Sequence, residues 1–347
     1  MNDKKVAFLV PIHPPHFKFG NDLRKTMLDL KLDERADLWF IFTNAEERRE
    51  FGEYDDAVIL PEKLRNFDNN GIINIKKFFG LNEIKDKYEY VIVLDAESRF
   101  IKNVGVRGLC ENYFKNKTLY GNKTLPEGRR TIDNVKKSCR RFFAGHKDAG
   151  LLDNELYLWF NQPCIYKSST LDEFFKVIDY KKNAANFKWE DFDYYIYMFY
   201  LMLYHGFGIE DIEIESNYGI YESSLDYIYF KSNKYEKIPI LMCSPTTLPR
   251  FDNPNLFIIC HCDRDQQWIL RVTNIKIDNL LQKVEALDDN TAAELNNTKE
   301  EIRRLTAELN NTKEEIRRLK IPFKFLRHMI ACLVPFRKLR KKIRGER

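Results

Sequence analysis

The chain has 347 residues, 44% of them hydrophobic, and a net charge of +5, so it can hold one large α/β domain and a smaller part. No run of about 18 uncharged apolar residues occurs, which predicts no membrane-spanning helix. The short N-terminal apolar run likewise predicts no signal peptide. The 7 scattered cysteines lack CxxC spacing, which argues against a disulfide framework and for reduced thiols in a cytosolic protein.

The N-terminal part alternates apolar runs with amphipathic segments. We predict strands at residues 5–12, 38–42 and 57–60, and helices at 21–32, 46–51 and 72–84. Thr43 and Asn44 suit the N-terminal cap of the second helix. His13 and His16 follow the first strand, where they either contact a ligand or stand as solvated turn residues. The alternation predicts a doubly wound, Rossmann-like α/β sheet.

The segment YVIVLDAESR, residues 90–99, combines a buried strand with acidic residues at its end. The apolar run 91–94 suits a strand covered on both faces of a parallel sheet. Asp95 and Glu97 follow directly, and carboxylates in such a position need a cation or a metal as partner. Ligands of open α/β sheets bind at this end of the strands. A helix cap or solvated turn is the alternative interpretation.

The sequence Leu94-Asp95-Ala96-Glu97 resembles the Asp-x-Asp motif of metal-dependent, nucleotide-sugar glycosyltransferases with the GT-A fold, in an Asp-x-Glu form. The resemblance implies a GT-A-like mixed sheet. It also implies that Asp95 and Glu97 hold Mn²⁺ or Mg²⁺ against the diphosphate of a nucleotide sugar, with a UDP-sugar favoured. Lys76 and Lys77, on the preceding helix, would then reach the diphosphate. An ordinary exposed lysine pair is the alternative.

Three later segments extend the resemblance to about residues 5–268. Asn161, in LYLWFNQPCIYK, would contact a donor or acceptor sugar, unless it simply forms a turn. Asp191, with Asp193 as second choice, would be the general base of an inverting enzyme, although both also suit the first turn of the apolar helix that follows. His261, at the end of LFIICHC, would be a further metal ligand; a buried histidine of the core is the alternative.

Residues 101–150 are basic, and their sequence predicts irregular structure. In glycosyltransferases of this fold, such a region often covers the donor as a flap.

A 14-residue repeat follows the α/β region. TAAELNNTKEEIRRL, residues 291–305, recurs as TAELNNTKEEIRRL, residues 306–319. Leu295, Ile302, Leu309 and Ile316 recur every seven residues, which is a coiled-coil pattern and implies a partner helix. A second copy of the chain is the simplest partner; a helix packed back on the catalytic domain is the alternative.

The positive charge is concentrated at the C-terminal end. Residues 320–347 contain ten Lys or Arg and one Glu, a net +9, so the first 319 residues carry −4 of the total +5. The same segment is rich in Phe and Leu before its basic end, which predicts an amphipathic tail lying on an anionic membrane surface. Nucleic-acid binding would need the charge without the apolar bulk, so no nucleic acid is expected as a partner.

These features predict a GT-A-like domain at residues 1–275, a coiled coil at 276–319 and a membrane-surface tail at 320–347. The predicted function is sugar transfer, with inversion favoured, from a nucleotide donor to a glycan, in bacteria a lipid-linked surface glycan such as lipooligosaccharide or capsule. The enzyme would be cytoplasmic and peripheral on the inner face of the membrane. The alternatives are a non-enzymatic, membrane-associated scaffold and a nucleotidyl- or phosphotransferase using the same acidic pair.

Overall fold

The computed structural model describes residues 5–52, 54–65, 71–124, 126–158, 164–216, 229–230, 234–238, 240–243 and 256–259, and six further residues between 300 and 311. The chain divides into two compact units, residues 1–262 and 263–347. The predicted boundary at residue 275 lies outside the described residues. In the described part of the chain, no helix combines the length and apolar content needed to cross a membrane.

The first unit is built on a five-stranded sheet in the order β3-β2-β1-β4-β8. Its strands are β1 (Val6–Pro11), β2 (Ala36–Phe42), β3 (Ala57–Ile59), β4 (Tyr90–Val93) and β8 (Cys164–Lys167). The first four are parallel, and β8 pairs antiparallel with β4. Every residue of β1 and β2 is buried, as expected of parallel strands covered on both faces. The predicted mixed α/β sheet is confirmed.

The helices of this unit are α1 (Phe17–Asp29), α2 (Ala45–Phe51), α3 (Ile72–Ile84), α4 (Val106–Asn116), α5 (Pro126–Arg140), α6 (Ser168–Val177), α7 (Tyr180–Asn183) and α8 (Asp193–His205). The predicted cap of α2 is confirmed: the Asn44 side chain accepts from the Glu47 amide at 2.8 Å, and Glu47 accepts from the Thr43 amide at 2.6 Å. This pattern resembles a capping box, except that Glu47 accepts from the residue before the cap and not from the cap residue itself. Helix α1 starts earlier than predicted, because Pro14–His16 already form a helical turn.

Two smaller sheets accompany the central one. One has the order β10-β9-β6-β7 and the other β11-β12-β5. Their strands are β5 (Arg99–Phe100), β6 (Thr118–Thr124), β7 (Leu156–Tyr157), β9 (Gly208–Ser216), β10 (Tyr229–Phe230), β11 (Leu241–Cys243) and β12 (Leu256–Ile259). Strand β12 pairs antiparallel with β5, which directly follows residues 95–98.

The prediction of irregular structure for residues 101–150 is wrong. This segment forms α4, β6 and α5, and its apolar residues recur at helical spacing. Val106, Cys110 and Tyr113 are buried on α4, and Ile132, Val135 and Cys139 on α5. The many basic residues lie mostly on the exposed faces of these helices. A prediction based on composition therefore missed the helical spacing of the apolar residues.

In the second unit, the described residues Glu300, Arg304, Thr306, Ala307, Asn310 and Asn311 are helical and exposed. The heptad positions Leu295, Ile302, Leu309 and Ile316 lie outside the described residues, as does the whole of 320–347. The coiled coil and the membrane-surface tail therefore stay predictions.

Helix α3 is fixed against the segment that precedes α8. The Asn74 amide donates to the carbonyls of Lys188 and Trp189 at 3.0 and 3.3 Å. Gly71, at the start of α3, is buried against the backbone of Phe187, so that an added Cβ would overlap the Phe187 carbonyl. The close approach of two backbones explains why glycine stands at position 71.

We expect Gly71→Ala to destabilise the protein by about 2–3 kcal/mol, because backbone atoms cannot move aside as a side chain can. Gly108→Ala is the matched control: Gly108 lies in α4 with no atom within 4 Å of an added Cβ. Alanine there should be neutral or stabilising by about 0.5–1 kcal/mol. Urea unfolding followed by circular dichroism measures both, and equal stability of the two variants would contradict this packing.

Candidate active site

The order of the strands places a switch point between β1 and β4, at the carboxyl ends of the central strands. From β1 the chain proceeds to β2 on one side, whereas β4 lies on the other side of β1. The loops after β1 and β4 therefore diverge at the carboxyl ends of their strands, which is where open α/β sheets bind ligands. These two loops carry His13 and His16, and Asp95 and Glu97, respectively.

The two loops are in contact. Nδ1 of His16 lies 3.6 Å from a carboxylate oxygen of Glu97, whose side chain is 9% exposed. The rings of His13 and His16 pack with their centroids 4.2 Å apart. Burial, together with the neighbouring His16 and Lys76, lowers the pKa of His13 to about 4. His13 is thus neutral near pH 7, and its ring can donate or accept a hydrogen bond.

Residues 95–98 form the acidic turn, a tight turn in which the Ser98 amide donates to the Asp95 carbonyl at 3.0 Å. The side chain of Asp95 is 32% exposed, whereas Glu97 and Ser98 are buried. Among the acidic residues predicted for the site, Asp95 is therefore the one whose carboxylate is open to a ligand.

The ammonium group of Lys77 connects the acidic turn to α8. It lies 3.3 Å from Oδ1 of Asp95 and 3.3 Å from Oδ1 of Asp193. Burial lowers the pKa of Lys77, but the charges of Asp193 and Asp95 outweigh this effect, so that the pKa is raised above its usual value. A charged ammonium held between two carboxylates fixes the position of the exposed one, Asp95.

Asp193 is buried at the first residue of α8. Its Oδ2 accepts a hydrogen bond of 2.6 Å from the hydroxyl of Tyr166, on β8. The position at a helix N-terminus favours the negative charge. Asp193, predicted as the second-choice base, is thereby placed beside Asp95, as part of the support of Lys77.

Asp191, the first-choice base, lies before α8 and not in its first turn. It is fully buried, and both of its oxygens are occupied. Arg141 binds both oxygens through its two terminal nitrogens, Ser138 donates at 2.6 Å and the Lys188 amide at 2.7 Å. These are the contacts of a carboxylate that joins α5 to the loop before α8, so no contact supports a catalytic role for Asp191.

The alternative interpretation of Lys76 and Lys77 as an ordinary exposed lysine pair is wrong, because both side chains are buried. Lys76 donates to the carbonyl of Ile12 at 2.7 Å and lies 3.7 Å from Glu47. Burial lowers its pKa to about 8, against the raising effect of Glu47. Lys76 thus binds the backbone directly after β1. The predicted contacts of Lys76 and Lys77 with a diphosphate stay predictions.

Asn161 and His261 lie outside the described residues, so their roles also stay predictions. Within the described ranges, no group of three or more His, Cys, Asp or Glu side chains is close enough to hold a metal. The carboxylates of Asp95 and Glu97 would have to be completed by other ligands.

Tyr166, Arg141, Ser138 and His16 contact the predicted acidic residues, and the sequence did not single out the first three. Tyr166 gives no local signal: it reaches Asp193 only because β8 pairs with β4, with Tyr166 opposite Val91. Arg141 and Ser138, three positions apart at the end of α5, would have been found by recognising that helix.

The fold and the site define this chain as an α/β protein with an acidic turn, residues 95–98, at the switch point of a mixed sheet. No known protein-family profile matches the chain, and neither does any curated protein. Among solved structures, the apo crystal structure of mouse xyloside xylosyltransferase 1 is similar over 60% of this chain and 85% of that chain, with 11% sequence identity and a TM-score of 0.34.

We expect Lys77→Met to destabilise the protein by about 3–5 kcal/mol, because it leaves the carboxylate of Asp193 buried without its cation. Lys85→Met is a matched control. Lys85, directly after α3, also bridges two carboxylates, those of Asp86 and Asp172, but both partners are exposed. Its loss should cost less than about 1 kcal/mol.

Chemical denaturation of both variants measures this difference. The double variant Lys77→Met with Asp193→Asn should recover part of the lost stability, since the uncompensated charge is removed with its partner. If Lys77→Met and Lys85→Met were equally mild, the buried ion bridge would not hold the site together.

Proposed function

We propose that this protein is a glycosyltransferase that transfers a sugar from a nucleotide-diphosphate donor. The observation that carries the proposal is the placement of Asp95 and Glu97 at the switch point between β1 and β4, with Asp95 partly exposed and fixed by Lys77. The strand order and the acidic turn after β4 agree with the GT-A pattern that the sequence resembles.

A divalent cation fits these residues. Mg²⁺ and Mn²⁺ prefer oxygen ligands, and Mg²⁺ in particular is commonly held by one or two carboxylates together with substrate phosphates and water. Asp95 and Glu97 would be the protein ligands, with His261 as a further candidate. The cation would neutralise the charge that develops on the departing nucleotide diphosphate.

The chain's own residues then have distinct roles. Asp95 faces the nucleotide-sugar donor. Lys77 orients the carboxylate of Asp95, and Asp193 and Tyr166 hold Lys77 in place through the ion bridge and the hydrogen bond described above. If the reaction inverts the anomeric centre, a general base must take the proton of the acceptor hydroxyl. Asp191 or Asp193 could serve only after exchanging one of its present partners for that hydroxyl.

The finer proposal comes from the sequence. We propose a UDP-sugar donor, a lipid-linked bacterial surface glycan as acceptor, pairing of two copies through the heptads, and attachment of the C-terminal tail to the inner face of the cytoplasmic membrane. A membrane-surface tail would keep the enzyme where lipid-linked acceptors lie.

The donor is tested by thermal shift with UDP-, GDP- and CMP-sugars, with Mn²⁺ and with excess EDTA. We expect one nucleotide sugar to raise the Tm in the presence of Mn²⁺; a ligand at 100 times its Kd adds about 2.7 kcal/mol. Asp95→Asn should lose most of this ligand-induced shift, measured from its own Tm. Asp86→Asn, at a carboxylate that is 85% exposed on the surface, should keep it.

A protein that responds to none of these nucleotide sugars would be a scaffold, and the proposal would be wrong. Transfer of the nucleotidyl group with release of a sugar 1-phosphate, or transfer of a phosphoryl group, in place of sugar transfer with release of the nucleotide, would identify the nucleotidyl- or phosphotransferase alternative. Product analysis of the reaction with the stabilising nucleotide sugar separates these outcomes.

The tail is tested with a chain that ends at residue 319. We expect the full chain to sediment with vesicles that contain anionic lipid and the shortened chain to remain in solution, because each basic residue near such a surface contributes about 1 kcal/mol. Neutral vesicles are the control. Equal sedimentation of the two chains would remove the tail from the proposal, and an unchanged donor response of the shortened chain would show that its fold is intact.

A further inference from the structure

A cavity of about 900 Å³ lies beside α5, and its described lining includes none of His13, His16, Asp95 and Glu97. Helix α5, the turn after it and residues 149–155 form most of its described lining. Its volume is in the range of small-molecule binding sites. The lining contains six cationic residues: Lys123, Arg129, Lys136, Lys137, Arg140 and Arg141.

The acidic residues around the cavity balance only part of this charge. Asp133, Asp153 and Glu155 also line it, and Asp153 pairs with Arg140. Behind the wall, Asp191 neutralises Arg141. Counted over the described lining and Asp191, six cationic and four acidic residues leave a net charge of +2. Within the described residues, Lys123, Arg129 and Lys137 form no ion pair, so they are the cations available to a ligand.

Two of the cationic side chains in the cavity lining are held in place by specific contacts. Lys136 is partly buried and donates to the Asn154 carbonyl at 2.7 Å; burial lowers its pKa to about 8, against the effects of Asp133 and Glu155. Arg141 is held over the ring of Phe142, 4.5 Å from its centroid, as well as by Asp191. An anion in the cavity would favour the charged form of Lys136.

We propose that this cavity binds a phosphoryl group of a small phosphorylated ligand. A phosphate monoester carries close to two negative charges at pH 7, which matches the excess positive charge, and its oxygens suit the Arg129 guanidinium and the Lys137 ammonium. A monocarboxylate would leave positive charge uncompensated. A nucleic acid is disfavoured, because Asp133, Asp153 and Glu155 would repel a continuous phosphate backbone.

Binding of inorganic pyrophosphate, followed by calorimetry in EDTA at low ionic strength, tests the proposal. Without a divalent cation, the carboxylates of Asp95 and Glu97 do not attract the anion. Binding at the cavity is therefore measured separately from binding at the proposed donor site. We expect Arg129→Gln with Lys137→Gln to weaken binding by about tenfold or more. The control, Lys25→Gln with Lys115→Gln, removes the same charge from exposed positions on α1 and α4 and should change it less than twofold.

Asp95→Asn should leave pyrophosphate binding intact, which keeps this result independent of the proposed glycosyl transfer. Glucose 1-phosphate and geranyl diphosphate identify the source of the phosphoryl group: tighter binding of either ester than of pyrophosphate indicates a sugar phosphate or a lipid diphosphate, and equal binding indicates the free anion. No binding by the wild type, or the same loss in the two double variants, would overturn the proposal.

Discussion

The geometry of the candidate site depends on one buried cation. The ammonium of Lys77 lies between Asp95, at the end of β4, and Asp193, at the start of α8. The buried carboxylate of Asp193 would be costly without this cation, and the ammonium would itself be costly to bury without its two carboxylates. Tyr166 completes the arrangement by donating to the second oxygen of Asp193. Four elements, α3, β4, β8 and α8, therefore meet around this ammonium.

A second buried carboxylate, that of Asp191, is also neutralised by a cation, but among the described residues no exposed carboxylate shares that cation. Asp191 joins Arg141 and Ser138 at the end of α5 to the backbone before α8. Asp191 and Asp193 are only two residues apart, yet one is committed to α5 and the other to Lys77. The loop between them is thus fixed on both sides, and the partly exposed carboxylate of Asp95 is left at the switch point.

The sequence predicted the parallel core well because its signals are local. Continuous apolar runs marked β1, β2 and β4, and Thr43 and Asn44 marked the cap of α2. It also singled out Asp95, Asp193 and Lys77 as site residues, although it assigned Lys77 to a ligand and not to an ion bridge. It could not show that Lys76 and Lys77 are buried, because their partners Ile12, Glu47 and Asp193 come from distant parts of the chain. Helices α4 and α5 were missed since their buried positions are interspersed with many charged residues.

The contacts between α3 and the loop before α8 also bear on the order of events during synthesis. Asn74 and Lys188, which bond to each other, are separated by 114 positions. During translation, the strands β1 to β4 emerge long before the segment that carries Asp193, and folding units generally form from the N-terminus. Until that segment has been synthesised, the Lys77 ammonium lacks the counter-charge of Asp193. The ion bridge is therefore complete only once α8 has docked, and a chain interrupted before residue 193 would carry Asp95 and Lys77 without their buried partner.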